Sequence, residues 1–290
     1  MSAATPTAVD PAVLAAQAIA KVNTIAALPE VTTQIIKIVN DPRSSAAQLN
    51  RVIAHDPSLV VRILKTVNSS FYGLPGQIGS IERAIVLLGM NAVKNIAVAA
   101  SLGDLFRGKL CDGYTARDLW THCISVAMVA RQLARETNPN LADEAFLAGM
   151  IHDVGILVSL QVWPKQLSAS CDQSKKTGID FILAEREQIG VDHQMLGNAL
   201  AEKWKFPRSC QLVAGHHHQP AQLADNSRLL VSLVFTADTL CCQANRGFNL
   251  TAVNQKLEDG QLEAVSLKTS TIDQVRGNLP KLLESASGLF

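Results

Sequence analysis

Aromatic residues are scarce in this chain: Phe, Trp and Tyr together make up 4% of 290 residues. Packing must therefore fall to Leu, Ile, Val and Ala, and a hydrophobic content of 48% supplies enough of them for a substantial core. An excess of one charge is also missing. Lys and Arg number 26 against 25 Asp and Glu, a net charge of +1. Nothing in that balance points to a nucleic-acid surface, which needs clustered Lys and Arg. Apolar stretches such as Ile96 to Leu102 are too short to span a bilayer. The N-terminus lacks the charged start and long apolar run of a signal peptide. The six cysteines, at 111, 123, 171, 210, 241 and 242, form no Cys-x-x-Cys pair, which favours reduced, buried thiols in a cytoplasmic protein. No alternating run is long enough for a sheet, and no fixed-period repeat stands out.

Helical signals fill the space these absences leave. The expected fold is all-α, with two helical lobes. Residues 1–20 read as a tail and leading helix, 21–108 as a first lobe, and 109–290 as a second lobe with a C-terminal extension. Asp56-Pro57 is a helix start, Ser44 or Ser45 a cap, and Ser80 with Glu82-Arg83 another start that Gly89 ends. Asn91 caps a helix to Phe106. Arg107 to Gly113 reads as the boundary between lobes. Long helices are expected from Thr115 to Glu136, from Ala142 to Trp163 and from Arg228 to Asn245, with shorter ones over 178–190, 192–205 and 207–218. Weaker helical segments follow Leu250. Trp120, Trp163 and Trp204 are packing anchors, and His55 belongs to a helix start.

Certain polar residues sit where this pattern wants apolar ones. His122 lies three after Leu119 and four before Val126, so it points inward. His152 and Asp153 interrupt the apolar run Phe146-Leu-Ala-Gly-Met-Ile, and Asp238 lies on a face with Val231, Val234, Phe235 and Cys242. An ionised carboxylate buried there without partners costs several kcal/mol, roughly. A cation would satisfy all of them together, and imidazole with carboxylate suits Fe, Mn, Zn or Ni. His193 and the run His216-His217-His218 add further imidazoles, although a His triplet beside Pro220 also fits an exposed turn.

A lone His, an adjacent His-Asp and a distant Asp, all on helices, resemble the HD superfamily of metal-dependent phosphohydrolases. His193 and His217-His218 are similar to the extra histidines of its HD-GYP branch, whose members are bimetal cyclic-dinucleotide phosphodiesterases. Leu28-Pro29, Asp56-Pro57-Ser58-Leu59, Asn68-Ser69-Ser70-Phe71-Tyr72-Gly73 and the string from Ser80 to Gly89 resemble the HDOD family, the HD-related output domain, over roughly Lys21 to Pro220.

The resemblance implies a bacterial signalling module, in a family most of whose members are regarded as non-catalytic. It would act through a protein partner or a nucleotide-like ligand, with no nucleic acid and no membrane involved. It also implies metal ligands at His122, His152, Asp153, His193, His217, His218 and Asp238, holding one or two divalent ions. This chain keeps His122, His152, Asp153 and Asp238, more than the family at large is expected to retain. It departs from the HD-GYP pattern at Ile156, where a phosphate-pairing Lys is expected, and at Gln219-Pro220-Ala221, where the Gly-Tyr-Pro loop is missing. If the site is catalytic, the reaction is phosphohydrolysis: a metal lowers the pKa of a bound water and Asp153 orients it. Otherwise the metal set serves a regulatory module, or a domain that senses a nucleotide without turning it over.

Overall fold

The computed structural model describes residues 10–22, 28–252, 254–258, 262 and 266–286. Residues 1–9 of the expected tail lie outside them. The fold is helical throughout, apart from one small ribbon.

The first lobe comprises α1 (Pro11–Lys21), α2 (Glu30–Asn40), α3 (Ala46–Ala54), α4 (Pro57–Val67), α5 (Ile81–Leu88) and α6 (Met90–Leu102). Most of its helices start on a side chain that accepts from an otherwise unpaired amide. Asp10 accepts from Ala12, Ser45 from Gln48 in a reciprocal capping box, Asp56 from Leu59 and Ser80 from Arg83. Asn91 is no cap: α6 begins one residue earlier, after Gly89, whose φ of 86° turns the chain directly out of α5. α6 is buried along Ala92–Leu102 and forms the wall against which α2, α4, α5 and α8 pack.

Residues 109–115 form a ribbon of β1 (Lys109–Cys111) and β2 (Tyr114–Thr115), turning at Gly113 with φ 80°. A boundary between lobes, with no strands, is what Arg107 to Gly113 leads one to expect here. Strands this short carry too few residues to show alternation.

The second lobe comprises α7 (Ala116–Thr137), α8 (Ala142–Ile151), α9 (Val154–Val162), α10 (Pro164–Thr177), α11 (Phe181–Gln188), α12 (His193–Lys203), α13 (Arg208–His216) and α14 (Asp225–Gln243). α7 is the central element, packed against α8, α14 and the final helix α15 (Thr269–Ala286). Gly149 brings α8 against α7: a Cβ there would lie 2.8 Å from the Ala127 Cα. α15 docks through Ile272, Val275, Leu279 and Leu283, a firmer element than the weak segments expected after Leu250.

Two further differences bear on the site. The expected single helix 142–163 is broken at His152-Asp153, where Asp153 takes φ −99° and ψ 12°. Neighbouring residues of an unbroken helix point about 100° apart; the break lets both of these side chains turn the same way. The helix α10 was not expected, because Pro164 reads as a stop. It is instead the first helical residue, and the buried stripe is Leu167, Ser170, Cys171 and Ser174, whose two serines hide its amphipathicity.

The run Pro139–Val162 is long and apolar enough to cross a membrane by length and composition, contrary to the expectation from shorter stretches. It lies mostly buried within the fold.

Candidate metal centre

Helices α7, α8, α12, α13 and α14 converge, and each brings a polar residue to the point of convergence. His122 comes from the second turn of α7, His152 from the residue that follows α8, and Asp153 from the joint before α9. His193 is the first residue of α12, which Asp192 caps by accepting from Met195 at 3.0 Å. His217 and His218 follow α13, and Asp238 sits inside α14. All are fully buried except His218, whose side chain is 4% exposed. Gly155 makes the closest approach possible: a Cβ there would lie 1.9 Å from the His193 carbonyl oxygen. The glycine two residues after Asp153 thus lets α9 and α12 meet backbone to backbone.

The atoms fall into two groups that share one carboxylate. Asp153 Oδ2 lies 3.6 Å from His122 Nε2 and 3.3 Å from His152 Nε2. His122 Nε2 is 3.2 Å from His152 Nε2 and 3.1 Å from Asp238 Oδ1. Asp153 Oδ1 lies on the other side, 3.5 Å from His193 Nε2 and 3.3 Å from His217 Nε2. His193 Nε2 is in turn 3.3 Å from His217 Nε2 and 3.1 Å from His218 Nε2. Two atoms bound to one ion at about 2.1 Å, at right or tetrahedral angles, stand about 3.0–3.4 Å apart. The observed separations are close to those of coordination edges.

The outer nitrogens fix the direction of the rings. His152 Nδ1 meets the Gly149 carbonyl at 2.7 Å and His217 Nδ1 the Val213 carbonyl at 3.1 Å. A carbonyl only accepts, so each Nδ1 carries the hydrogen and, in the neutral ring, each Nε2 offers a lone pair inward. His193 Nδ1 meets Glu185 Oε2 at 2.5 Å. Lone pairs aimed at one another repel unless a proton or a cation stands between them. Both Asp153 oxygens and Asp238 Oδ2 are buried without a hydrogen-bond partner, which makes the same demand.

Protonation of the ion-free chain follows from these contacts. Burial works against a charge on His193, but the Glu185 carboxylate outweighs it and raises the ring to about 9. His152 is raised in the same way, with Asp153 overcoming its burial. Burial also opposes charge on Asp153, yet His152, His217 and His193 hold its carboxyl well below the usual range. Burial lowers His217 and His218 and raises Glu185.

The sequence-selected residues therefore come together, and the cluster can hold a divalent ion. His216 and His55 stand outside it. His216 is half-buried and His55 is exposed at the end of α3. Ile156 is fully buried, so no cation stands at that position. Glu185 and Gln255 join the cluster without a clear mark in the sequence, and Cys242, on the same helix face as Asp238, proves to be its partner. Glu185 is a fully buried acid on α11 beside His193; its only signal is an acid between Ala184 and Arg186 on a helix that buries Phe181 and Ile182. Cys242 Sγ donates to Asp238 Oδ1 at 3.3 Å, one helical turn on. Gln255, in an irregular stretch, meets His218 Nδ1 at 2.9 Å, and nothing local marks it.

A buried centre of histidines around a shared aspartate, on a helical bundle, defines the class. Residues 25–220 match the HDOD domain family, and the chain belongs to it. It is 23% identical over 226 residues to an uncharacterized protein of Treponema pallidum (strain Nichols), covering 78% of this chain and 44% of that one. The chain thus spans less than half of that relative's length. Among solved structures, it resembles an HDOD domain protein of unknown function from Geobacter sulfurreducens, with TM-score 0.83, 21% identity, and 97% and 98% of the two chains covered. A candidate phosphohydrolase from Shewanella amazonensis SB2B gives TM-score 0.76 at 21% identity, with 96% and 98% covered. A candidate signal transduction protein from Marinobacter aquaeolei VT8 gives 0.75 at 23%, with 96% of this chain and 65% of that one covered. At such identities the likeness is one of fold.

Proposed function

We propose that this chain is a regulatory module of bacterial, cytoplasmic signalling whose bundle is organised by two divalent transition-metal ions. The observation that carries the two-ion reading is Asp153, with one buried oxygen facing His122 and His152 and the other facing His193 and His217. The donors are imidazole and carboxylate, which suit Fe, Mn, Ni or Zn. A regulatory role is supported by the burial of the set, of which His218, 4% exposed, lines a surface cleft, and by the apolar Ile156. The fold's occurrence within longer relatives supports a partner, either a signalling protein or a nucleotide-like ligand. Neither a nucleic acid nor a membrane is part of this reading.

Phosphohydrolysis is the second reading, favoured by the completeness of the set. When bound, the ions would supply an acidified water. Asp153 would hold both ions in register and orient that water, while His122, His152 and Asp238 fix one ion and His193, His217 and His218 the other. In this reading the chain divides into a tail and leading helix, 1–20, an N-terminal lobe of the HDOD module, 21–108, and an HD-like lobe with a C-terminal extension, 109–290.

Metal analysis of protein purified without chelator tests the first reading. About two ions per chain are expected; fewer than about one ion in ten chains would count against both readings. Hydrolysis of bis-p-nitrophenyl phosphate and cyclic dinucleotides with added Mn, Fe or Ni tests the second. Turnover lost in Asp153→Ala supports an enzyme, and its absence with every metal sinks that reading while leaving the regulatory one.

A further inference from the structure

The two halves of the centre are held differently. His122 and Asp238 are fixed inside the bundle on α7 and α14, His152 directly follows α8, and all three are fully buried. The other half ends on His218, beyond α13, and His218 lines a cleft of about 340 Å³ together with Arg186, Thr251 and Gln255. Gln255 lies past the residues matched to the HDOD family, which end at 220.

The hydrogen bonds around Gln255 have one consistent direction. Thr239 donates its hydroxyl to the Phe235 carbonyl at 2.8 Å, so its oxygen is left to accept. Gln255 Nε2 donates to that oxygen and toward the same carbonyl at 3.4 Å. The amide's other end, Oε1, therefore faces His218 Nδ1 at 2.9 Å, and it can only accept. Nδ1 then carries the hydrogen, and Nε2, 3.1 Å from His193 Nε2, offers its lone pair to the centre. Thr239 adjoins Asp238, so one glutamine ties the last ring of one half to the helix of the other. The stretch is itself anchored. Asn254 donates to the Gly178 carbonyl at 2.9 Å, and Gln243 donates to the Gln255 carbonyl at 3.1 Å.

We infer that Gln255 is a positioning residue for the second ion, and that the stretch 254–258 makes retention of this ion conditional while the first is held unconditionally. The inference rests on the two-ion reading. The ion beside His193, His217 and His218 exchanges through the cleft, and its affinity depends on an acceptor that the stretch supplies. The ion beside His122, His152 and Asp238 has no such dependence.

The test is titration of the ion-free chain with Co²⁺, followed by its visible absorption and by metal content per chain. Gln255→Met keeps the side chain's length and removes the strong acceptor; Gln255→Glu keeps the acceptor. The wild-type chain is expected to take two ions. Gln255→Met should hold the first with unchanged affinity and bind the second about 10–100-fold more weakly. Gln255→Glu should retain both. A Met variant that binds both ions as the wild type does overturns the inference. So does one that weakens both equally, which would make Gln255 a packing residue. A wild-type chain that takes one ion or none overturns the two-ion reading itself, and the inference falls with it.

Discussion

The first six helices and the bundle from α7 to α14 are stabilised by different means. In the first region the helices packed around the buried α6 bury one stripe and leave the other face to water: α4 buries Leu59, Ile63, Thr66 and Val67, while Val61 on its back is 66% exposed. Ordinary hydrophobic burial and end-capping account for this region. In the second region α8 is buried at every residue except Asp143 and Glu144 in its first turn, and α9 is buried from Val154 to Ser159. Past that first turn these helices have no outward face to carry charge, yet the bundle encloses Asp153, Asp238 and Glu185. Its stability therefore hinges on what neutralises those acids. The comparison teaches that two regions of one helical chain can respond oppositely to the same treatment: a chelator should loosen one and leave the other alone.

The largest effect should come from Asp153→Ala. It removes an oxygen from each half of the centre, and uptake of both ions is expected to fall more than about 100-fold by metal titration. The ion-free variant should also melt below the ion-free wild type, because the buried rings of His152 and His193 lose the carboxylate that pairs with them. An unchanged melting point would show that the bundle does not rely on Asp153 without an ion. Next is Gly155→Ala, whose new Cβ would press on the His193 carbonyl. A loss of about 3 kcal/mol is expected by urea unfolding, together with weaker ion uptake. A neutral result would mean that α9 and α12 can part without disturbing the centre.

A smaller effect should appear with pH. Since Glu185 raises His193 to about 9 against its burial, an ion must displace a proton from that ring at neutral pH. Uptake at that position should weaken by about tenfold per pH unit below 9. In the ion-free chain the sign reverses. The raised pKa stabilises the fold fully below the ordinary histidine value of 6.5, and that contribution fades as pH rises through about 9. Melting curves of the loaded and ion-free chains should therefore diverge between these values; parallel curves would break the link between His193 and the ion. The smallest effect belongs to the first region. Asp56→Ala removes the cap on Leu59 and should cost about 1 kcal/mol with no change in metal content. A change in metal content would show that the two regions are coupled.

The same contrast explains what could be read from the sequence. Caps are local, so Asp56-Pro57 and Ser80 marked their helices directly. Inward polar residues in apolar helices are also local signals, and they identified His122, His152, Asp153 and Asp238. The break at Asp153 was hidden, since an all-apolar run has the same pattern whether it is one helix or two. Glu185 and Gln255 were hidden for another reason. Their roles arise from contacts made across the fold, with His193 eight residues on and with His218 thirty-seven residues back. Pro164 misled because proline both ends helices and begins them.

Asp153 has one more consequence, for the chain as it is made. It lies inside Pro139–Val162, the one run among the described residues long and apolar enough for a bilayer. Its partners His193 and His217 emerge from synthesis only later. Until then the run is an exposed apolar segment, open to capture by lipid or by other nascent chains. A carboxylate near the middle of such a segment costs about 3 kcal/mol to insert into a membrane. The residue that later joins the two halves of the centre thus first works to keep its own helices out of the bilayer.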